Sequence, residues 1–92
     1  MDWVVYLLAC ADGTQYCGVT TDMDRRLDEH NRGCGAKYTR SRRPVSLLVS
    51  ASFPDRSTAQ RVEWKVKRQP SGKKRAFLLA MAETSGSAAA LS

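Results

Sequence analysis

VVYLLACADGTQYCGVTTDMDRRLDEHN, residues 4–31, is the stretch that decides the fold of this chain. β-Branched, aromatic and aliphatic residues fill Trp3–Cys10 and again Gln15–Thr20, whereas Asp12-Gly13 between them is a turn dipeptide. Two short apolar runs on either side of Asp-Gly are typical of a β-hairpin. The stretch therefore predicts two antiparallel strands joined by a tight turn.

The length of that turn decides which side chains share a face of the hairpin. Side chains alternate between faces, so a change of one residue in the register moves Tyr6 and Tyr16 to opposite sides. A three-residue loop of Ala11-Asp12-Gly13, with Gly13 in the left-handed region, places the two phenols on the same face. A two-residue loop of Asp12-Gly13 separates them, and the sequence alone allows both.

A helix over about residues 22–31 is predicted directly after the second strand, because Thr21–Asp24 offers side-chain oxygens that cap free backbone amides. Four residues then share one side of the helix at spacings of three, four and seven: Met23, Arg26, Leu27 and His30. A guanidinium and an imidazole on an inward, apolar side are costly unless a polar or anionic group meets them. Arg26 and His30 are therefore candidate functional residues.

This segment resembles the start of a GIY-YIG nuclease domain. Val4-Val5-Tyr6 stands where the family has GIY, and Tyr16-Cys17-Gly18 stands where it has YIG. The residues that follow resemble the small stand-alone bacterial branch of the superfamily, which is related to the nuclease domain of the excision-repair subunit UvrC: Thr20, Asp22, Arg25, Arg26, Leu27, His30 and Asn31. The resemblance extends more weakly to about Lys67.

The remaining elements follow from their apolar patterns. Val45–Phe53, between two prolines, reads as a third strand. Ser57–Gln60 resembles a capping box and opens a second helix over 57–68, and a third helix is expected over 72–82 with Trp64 packed against it. The predicted fold class is α/β, a small three-stranded antiparallel sheet flanked by helices, which is also the GIY-YIG endonuclease fold that the resemblance implies.

Length and composition bound the organisation of the chain. Ninety-two residues form one small domain, expected over 1–83, with a flexible tail over 84–92. Cys10, Cys17 and Cys34 are odd in number and lack CxxC spacing, which argues against a disulfide framework or a zinc site. No basic segment followed by a long apolar one begins the chain, so we expect a soluble, cytoplasmic protein with no membrane partner.

A basic, glycine-containing segment over residues 32–44 is predicted to be a loop. The net charge of +6 fits a polyanionic partner, or simply a basic surface. Basic side chains on either side of an aromatic residue suit contacts with phosphates and nucleobases. The candidate nucleic-acid-binding residues are Arg25, Arg32, Lys37, Tyr38, Arg40, Arg42, Arg43 and Lys67. A solvated basic loop without a ligand is the alternative.

Glu63 is the candidate metal ligand. It shares the sheet-facing side of the second helix with Ala59, Val62 and Val66, where a carboxylate needs a cation, a hydrogen-bond donor or a metal. The resemblance implies a metal at this position, and one carboxylate with waters and a substrate phosphate suits Mg²⁺, with Mn²⁺ as a substitute. A structural ion pair between Glu63 and Arg26 is the alternative.

The resemblance also implies catalytic roles. Tyr6 draws the proton from the attacking water, Tyr16 and His30 place or assist that water, and Arg26 holds the phosphate. The roles of Tyr6, Tyr16 and His30 could be exchanged among these three residues without changing the sequence pattern. A phenol has a pKa of about 10 in water, so Tyr6 needs nearby positive charge before its anion forms near neutral pH.

Three functions are compatible with these sequence features. The first is a metal-dependent endonuclease that hydrolyses phosphodiester bonds in nucleic acid, with structured or single-stranded DNA favoured, in repair or DNA processing. The second is a catalytically weak, basic nucleic-acid-binding module. Larger family members carry a late asparagine that this chain lacks, and its lack favours this second function. The third is an interaction subunit without nucleic acid, which leaves Arg26, His30 and Glu63 without a purpose. A monomer is compatible with each of them.

Overall fold

The computed structural model describes residues 2–84, which form three strands and four helices. They are β1 (Trp3–Ala9), β2 (Gln15–Thr20), α1 (Met23–Asn31), α2 (Lys37–Arg40), β3 (Ser46–Phe53), α3 (Arg56–Lys67) and α4 (Ser71–Thr84). This confirms the predicted α/β class with a three-stranded antiparallel sheet. The predicted tail over 84–92 lies outside the described residues, apart from Thr84, which ends α4.

The sheet has the strand order β2-β1-β3, so the first strand is central and the second is at an edge. Tyr6 pairs with Gly18 of β2 and with Ser50 of β3, and both pairings are antiparallel. A register shift follows Leu7, which pairs with Val49, whereas Leu8 pairs with Leu47. The central position gives β1 a neighbour on both sides, which suits its run of buried residues.

The two faces of the sheet carry separate clusters of buried side chains. One face packs against α3 and α4, and its buried members include Val5, Leu7, Val62, Val66 and Leu78. The other face is covered from the side of α1, and its cluster comprises Tyr6, Leu8, Cys10 and Val45 with Tyr16, Met23 and Leu27 against them. The alternation of side chains along β1 produces this division.

The hairpin turn has the three-residue form. The amide of Cys10 donates to the carbonyl of Thr14 at 2.8 Å, and the amide of Gly13 donates to the carbonyl of Cys10 at 3.0 Å. Gly13 has a φ of 85°, which glycine adopts without the steric cost that a side chain brings. Tyr16 pairs with Leu8, two residues from Tyr6, so both phenols lie on the α1 face.

The helix α1 is fixed at both ends. The side chain of Asp22 caps its start by accepting from the amide of Arg25 at 3.1 Å. At its end, Asn31 Nδ2 donates to the carbonyl of Val45 at 3.0 Å, and the amide of Val45 donates to Asn31 Oδ1 at 2.8 Å. This paired contact holds the end of α1 against the start of β3.

Three local predictions were wrong. The segment 32–44 contains the four-residue helix α2, whose single turn is too short to produce a periodic apolar pattern. The helix α3 begins at Arg56 because Asp55, rather than Ser57, accepts from the amide of Thr58 at 2.7 Å. Trp64 is 58% exposed and does not pack as a buried residue against α4.

None of the helices within residues 2–84 is long and apolar enough to span a membrane. The last helix instead packs along the sheet: Leu78 and Ala82 are 0% exposed, and the Nζ of Lys74 donates to the carbonyl of Lys67 at 2.9 Å. That ammonium also bonds the carbonyl of Val66 at 3.2 Å, which satisfies backbone oxygens at the end of α3.

Candidate active site

A buried series of hydrogen bonds joins β1, α1 and α2. The phenolic oxygen of Tyr6 lies 2.8 Å from Nε2 of His30, and Nδ1 of the same imidazole lies 2.7 Å from Oγ1 of Thr39. The Thr39 hydroxyl also lies 3.0 Å from the carbonyl oxygen of Ala36. Tyr6 is 1% exposed and His30 and Thr39 are 0% exposed. The three side chains therefore orient one another without competition from bulk water.

Two glycines make room for this pair. A Cβ at Gly18, directly opposite Tyr6 in the β1–β2 ladder, would overlap the phenol. A Cβ at Gly35 would overlap the His30 ring and backbone. The YIG-like glycine is thus required because the side chain of Tyr6 crosses over it.

Arg26 links the buried pair to the surface. Its Nη1 lies 3.1 Å from Oε1 of Glu29, and both side chains are 29% exposed. The guanidinium is also near enough to the Tyr6 phenol to oppose the rise in its pKa. Because a guanidinium binds carboxylate and phosphate oxygens in the same way, Arg26 is positioned to bind an anion that arrives from solvent.

Tyr16 completes a cluster of aromatic rings. Its ring centroid lies 6.3 Å from that of Tyr6 and 5.3 Å from that of His30. Its ring also stacks on Tyr38 of α2, at 5.8 Å and an interplanar angle of 28°. Tyr16 is half-buried, and it therefore connects the buried phenol–imidazole pair with the more exposed Tyr38.

The protonation preferences of the pair follow from burial. Burial raises the pKa of Tyr6 to about 12, the neighbouring Tyr16 adds to the increase, and Arg26 opposes it. Burial, and then the charge of Arg26, lower the pKa of His30. Both groups are therefore neutral near pH 7. Arg26 lowers the pKa of Tyr6 as expected, but the desolvation of the phenol is the larger effect, so the net shift is upward.

Glu63 stands on a helix whose buried residues pack on the sheet face opposite Tyr6. Its helix α3 packs on the sheet face that carries Leu7 and Cys17, whereas Tyr6 belongs to the other face. The Glu63 carboxylate is 3.2 Å from the Nζ of Lys67 and its side chain is 23% exposed. Its charge acts on the Cys17 thiol of the edge strand. The pKa of that thiol is raised to about 12, first by burial and next by the charge of Glu63.

The alternative ion pair between Glu63 and Arg26 is therefore wrong, since Arg26 is paired with Glu29. The four residues that the structure brings together are Tyr6, Tyr16, Arg26 and His30.

The donor chemistry available for a metal is that of a single carboxylate. Within residues 2–84, no group of three or more His, Cys, Asp or Glu residues comes together as a protein-only metal site would require. Mg²⁺ usually keeps several waters and takes only one or two carboxylates besides substrate phosphates. Glu63, half-buried and already paired with the cation of Lys67, fits such an ion.

Most of the candidate nucleic-acid-binding cations already have a carboxylate partner. Arg32 pairs with Asp28 at 2.8 Å, Arg25 with Glu29 at 3.9 Å, Arg42 with Asp12 at 2.9 Å, and Lys67 with Glu63 at 3.2 Å. Three of the set form no ion pair within the described part of the chain: Lys37, Arg40 and Arg43. Arg40 and Arg43 line an open pocket of about 550 Å³.

Tyr38 is engaged by two neighbours. Its ring stacks on Tyr16, and the guanidinium carbon of Arg42 lies 4.0 Å from its centroid. Arg42 also bonds Asp12 in the hairpin turn, and its carbonyl accepts from the amide of Ala11 at 2.9 Å. Arg42 and Tyr38 thus hold the basic segment against the hairpin, which is a structural role that sequence reasoning did not assign.

Sequence reasoning missed Thr39 and Glu29. Thr39 stands in a basic segment that lacks periodicity, so nothing in its surroundings indicated that its hydroxyl is buried against His30. Glu29 could have been found, because it follows Arg26 by three positions and Arg25 by four, the spacings that bring helical side chains together.

Comparisons with known proteins agree with this architecture. A family model described as the GIY-YIG catalytic domain matches residues 2–76. A UPF0213 protein of Nitratidesulfovibrio vulgaris is 59% identical over 76 residues, which cover 83% of this chain and 69% of the relative. A UPF0213 protein of Halobacterium salinarum is 50% identical over 73 residues, 79% of this chain and 95% of the relative.

Two solved structures are also similar. The solution NMR structure of a UPF0213 protein from Bacillus halodurans has a TM-score of 0.54 and 43% identity, over 89% of this chain and 87% of that one. The solution NMR structure of a protein from E. faecalis has a TM-score of 0.62 and 41% identity, over 87% and 85%.

Proposed function

The chain belongs to the GIY-YIG catalytic domain family, and from this membership we propose that it is a metal-dependent endonuclease that hydrolyses phosphodiester bonds in DNA. The family is one of nucleases that act on nucleic acid and generally use divalent metals. The net charge of +6 supports a polyanionic substrate. Structured or single-stranded DNA, met in repair or another processing step, suits a domain too small to read a long duplex sequence.

The observation that carries the proposal is the contact of Tyr6 with both His30 and Arg26. A phenol 2.8 Å from an imidazole and close to a guanidinium brings a proton acceptor together with an anion-binding group. Hydrolysis of a phosphodiester needs both, since a water must lose a proton while charge develops on the phosphoryl oxygens.

Arg26 binds the scissile phosphate in this mechanism. It exchanges the carboxylate of Glu29 for a phosphoryl oxygen, and this movement opens the nearly buried Tyr6 to a water that Tyr16 helps to orient. The water attacks phosphorus and its proton passes to the oxygen of Tyr6 as the phenolic proton of Tyr6 passes to Nε2 of His30, and the bond to the leaving oxygen breaks. The leaving oxygen takes its proton from solvent.

Glu63 is the residue that would hold the divalent ion, Mg²⁺ or, in its place, Mn²⁺. When bound, such an ion neutralises charge on the phosphoryl oxygens. Lys67 then gives up its pairing with Glu63 and becomes free to contact a neighbouring phosphate. The residues Lys37, Arg40 and Arg43 supply further backbone contacts.

Cleavage of labelled single-stranded, duplex and branched oligonucleotides with Mg²⁺, with Mn²⁺ and with EDTA tests the proposal. We expect cleavage only with metal, and a loss of about 10²-fold or more in Glu63→Gln. Asp55→Asn is the matched control, because it removes a carboxylate from the same helix while an asparagine still caps it. Equal cleavage by the wild type and Glu63→Gln would refute the metal-binding role.

The second candidate function is a catalytically weak nucleic-acid-binding module. The packing of α3, which carries Glu63, on the sheet face opposite Tyr6 is the observation that favours it. Binding that weakens with rising salt, together with no cleavage by any of the substrates and metals above, would identify this function instead.

A further inference from the structure

The proton positions in the Tyr6–His30–Thr39 series are determined by what each group can donate and accept. The Tyr6 hydroxyl is buried and lies within hydrogen-bond distance of His30, while the guanidinium of Arg26 is near enough to act on the pKa of the phenol. A guanidinium has donors but no acceptor. The phenolic proton therefore goes to Nε2 of His30, which must be unprotonated.

The rest of the series follows from that assignment. A neutral imidazole with a bare Nε2 carries its proton on Nδ1, which donates to Oγ1 of Thr39 at 2.7 Å. The Thr39 hydroxyl then has its own proton free, and donates it to the carbonyl of Ala36 at 3.0 Å. In this arrangement every donor is paired, whereas the opposite tautomer leaves the buried Tyr6 proton without an acceptor.

We propose that Thr39 is a positioning residue, which holds His30 in the tautomer whose Nε2 takes the phenolic proton of Tyr6 during phosphodiester cleavage. This inference rests on the proposed nuclease function. As the bond between the attacking oxygen and phosphorus forms, the water proton passes to Tyr6 while the Tyr6 proton passes to Nε2 of His30. The imidazolium later releases this proton to solvent, so that atoms and charges balance.

This relay explains a feature that is unfavourable for a simple phenolate base. The pKa of Tyr6 is raised to about 12, so the free anion is scarce near neutral pH. In the relay Tyr6 exchanges one proton for another and stays neutral. The incoming phosphate supplies the negative charge that favours an imidazolium beside Arg26.

The test uses the fact that His30 is the only histidine of the chain. Long-range ¹H–¹⁵N NMR spectra of the metal-free protein distinguish the protonated from the bare ring nitrogen. We expect the Nδ1–H form in the wild type and in Thr39→Ser, which keeps the hydroxyl, and a shift toward Nε2–H in Thr39→Val, which has a similar volume but lacks the hydroxyl. Cleavage by Thr39→Val is expected to fall by roughly 10²- to 10⁴-fold, with recovery in Thr39→Ser.

A wild-type protein with its proton on Nε2 would overturn the proposal, even if Thr39→Val fails to fold. An unchanged tautomer and cleavage rate in Thr39→Val would do so as well. If the tautomers behave as expected but the wild type cuts no substrate, the positioning by Thr39 stands and the nuclease function fails, so the two failures are distinguishable.

A second, independent observation concerns the outer side of α3. Four exposed residues recur there at spacings of three, four and seven and form one stripe, which we call the Trp64 stripe: Arg61, Trp64, Lys65 and Arg68. The guanidinium carbon of Arg68 lies 4.6 Å from the Trp64 ring centroid, and Trp64 is 58% exposed. Three cations and a large aromatic ring thus share one surface, and the three cations form no ion pair within residues 2–84.

We infer that the Trp64 stripe binds single-stranded nucleic acid. Cations along a helix complement a phosphate backbone, and an exposed indole offers a face on which an unpaired base stacks. A duplex keeps its bases stacked on one another, so it would use the cations but not the ring. The stripe lies on the helix that covers the sheet face opposite Tyr6, and it would hold a strand outside the cleavage site.

Fluorescence tests this surface with a control inside the chain, because the only other tryptophan, Trp3, also has an arginine over its ring, Arg56 at 5.5 Å. Trp3→Phe leaves Trp64 as the reporter, and Trp64→Phe leaves Trp3. Titration with oligo-dT in EDTA is expected to quench the first variant in a salt-dependent manner and to leave the second unchanged.

An unquenched Trp64 in a protein that binds oligo-dT by anisotropy would overturn the role of the stripe while leaving the nuclease function untouched. Burial of Trp64 in a dimer seen by light scattering, without an effect of oligo-dT, would also overturn it. Quenching without cleavage under any metal would support the stripe and refute the nuclease function.

Discussion

Gly18 lies directly opposite Tyr6 in the β1–β2 ladder, and the phenol of Tyr6 covers it so closely that a Cβ at Gly18 would overlap the hydroxyl. The second signature of the family thus serves the tyrosine of the first. We expect Gly18→Ala to displace the Tyr6 hydroxyl from His30, with a loss of about 1–3 kcal/mol in the free energy of unfolding. Chemical denaturation and the cleavage assay measure both effects.

Gly72→Ala is the matched control for that substitution. A Cβ at Gly72 meets no atom within 4 Å, and alanine is favoured over glycine in the first turn of α4. We expect unchanged cleavage and equal or higher stability. A Gly18→Ala variant that is as stable and as active as Gly72→Ala would show that the close approach of Tyr6 is not required.

The pH dependence of stability should report the burial of His30. Its pKa in the folded protein lies below the value of about 6.5 of an unfolded chain, so as the pH falls the unfolded chain takes up the proton first. The neutral imidazole therefore stabilises the fold fully above pH 6.5, and this contribution is lost as the pH falls through the folded-state pKa.

Thermal unfolding between pH 4.5 and 8 measures that loss, and His30→Gln should flatten the part of the profile that depends on the imidazole. Cleavage should decline over the same acid range, because a protonated Nε2 no longer accepts from Tyr6. A histidine NMR titration with a pKa at or above 6.5 would contradict this prediction.

Glu29 occupies Arg26 in the absence of substrate, at 3.1 Å. If the phosphate must replace it, Glu29→Gln should lower the KM by about two- to five-fold, the range expected from a partly exposed ion pair worth up to about 1 kcal/mol. Asp24→Asn, which removes a carboxylate from the same helix without releasing a paired cation in the described part of the chain, is the control and should leave the KM unchanged. A KM that rises in Glu29→Gln would mean that Glu29 positions Arg26 rather than competing for it.

Cations without an ion pair should dominate binding to a phosphate backbone. We expect Lys37→Ala and Arg40→Ala each to reduce the slope of log affinity against log salt by about 0.7 to 0.9, whereas Arg32→Ala, whose charge is already paired with Asp28, changes it less. Anisotropy titrations at several salt concentrations supply the slopes. Equal slopes for the three variants would show that an ion pair with a carboxylate does not reduce the contribution of a cation to binding.

The hairpin, the third strand and the three longer helices follow from the sequence, because local alternation, turn residues and capping residues act within a few positions of one another. The register of the hairpin could not be predicted from the sequence, because a two-residue loop and a three-residue loop are both compatible with Ala11-Asp12-Gly13. The helix α2 could not be predicted either, because a single turn, closed by the bond from the amide of Thr39 to the carbonyl of Ala36, leaves no periodic pattern in the sequence.

The candidate site was predictable in its residue types and less so in its arrangement. Arg26 and His30 were marked by polar side chains on an apolar side of α1, and the phenols by the signatures around them. Which partner each one has depends on contacts across distant parts of the chain, such as His30 with Thr39 and Arg42 with Asp12. The packing of α3, which carries Glu63, on the sheet face opposite Tyr6 depends on the return of that helix, which no local pattern specifies.

We propose that the Tyr6 hydroxyl, between His30 and Arg26, takes part directly in phosphodiester cleavage. The single-turnover rate of Tyr6→Phe with Mg²⁺ on the best-cleaved oligonucleotide tests this role. Tyr38→Phe is the control, since its ring stacks on Tyr16 while its hydroxyl is outside the buried series. We expect a loss of about 10²-fold or more for Tyr6→Phe and a rate near that of the wild type for Tyr38→Phe. A folded Tyr6→Phe protein that cuts at the wild-type rate would contradict this role.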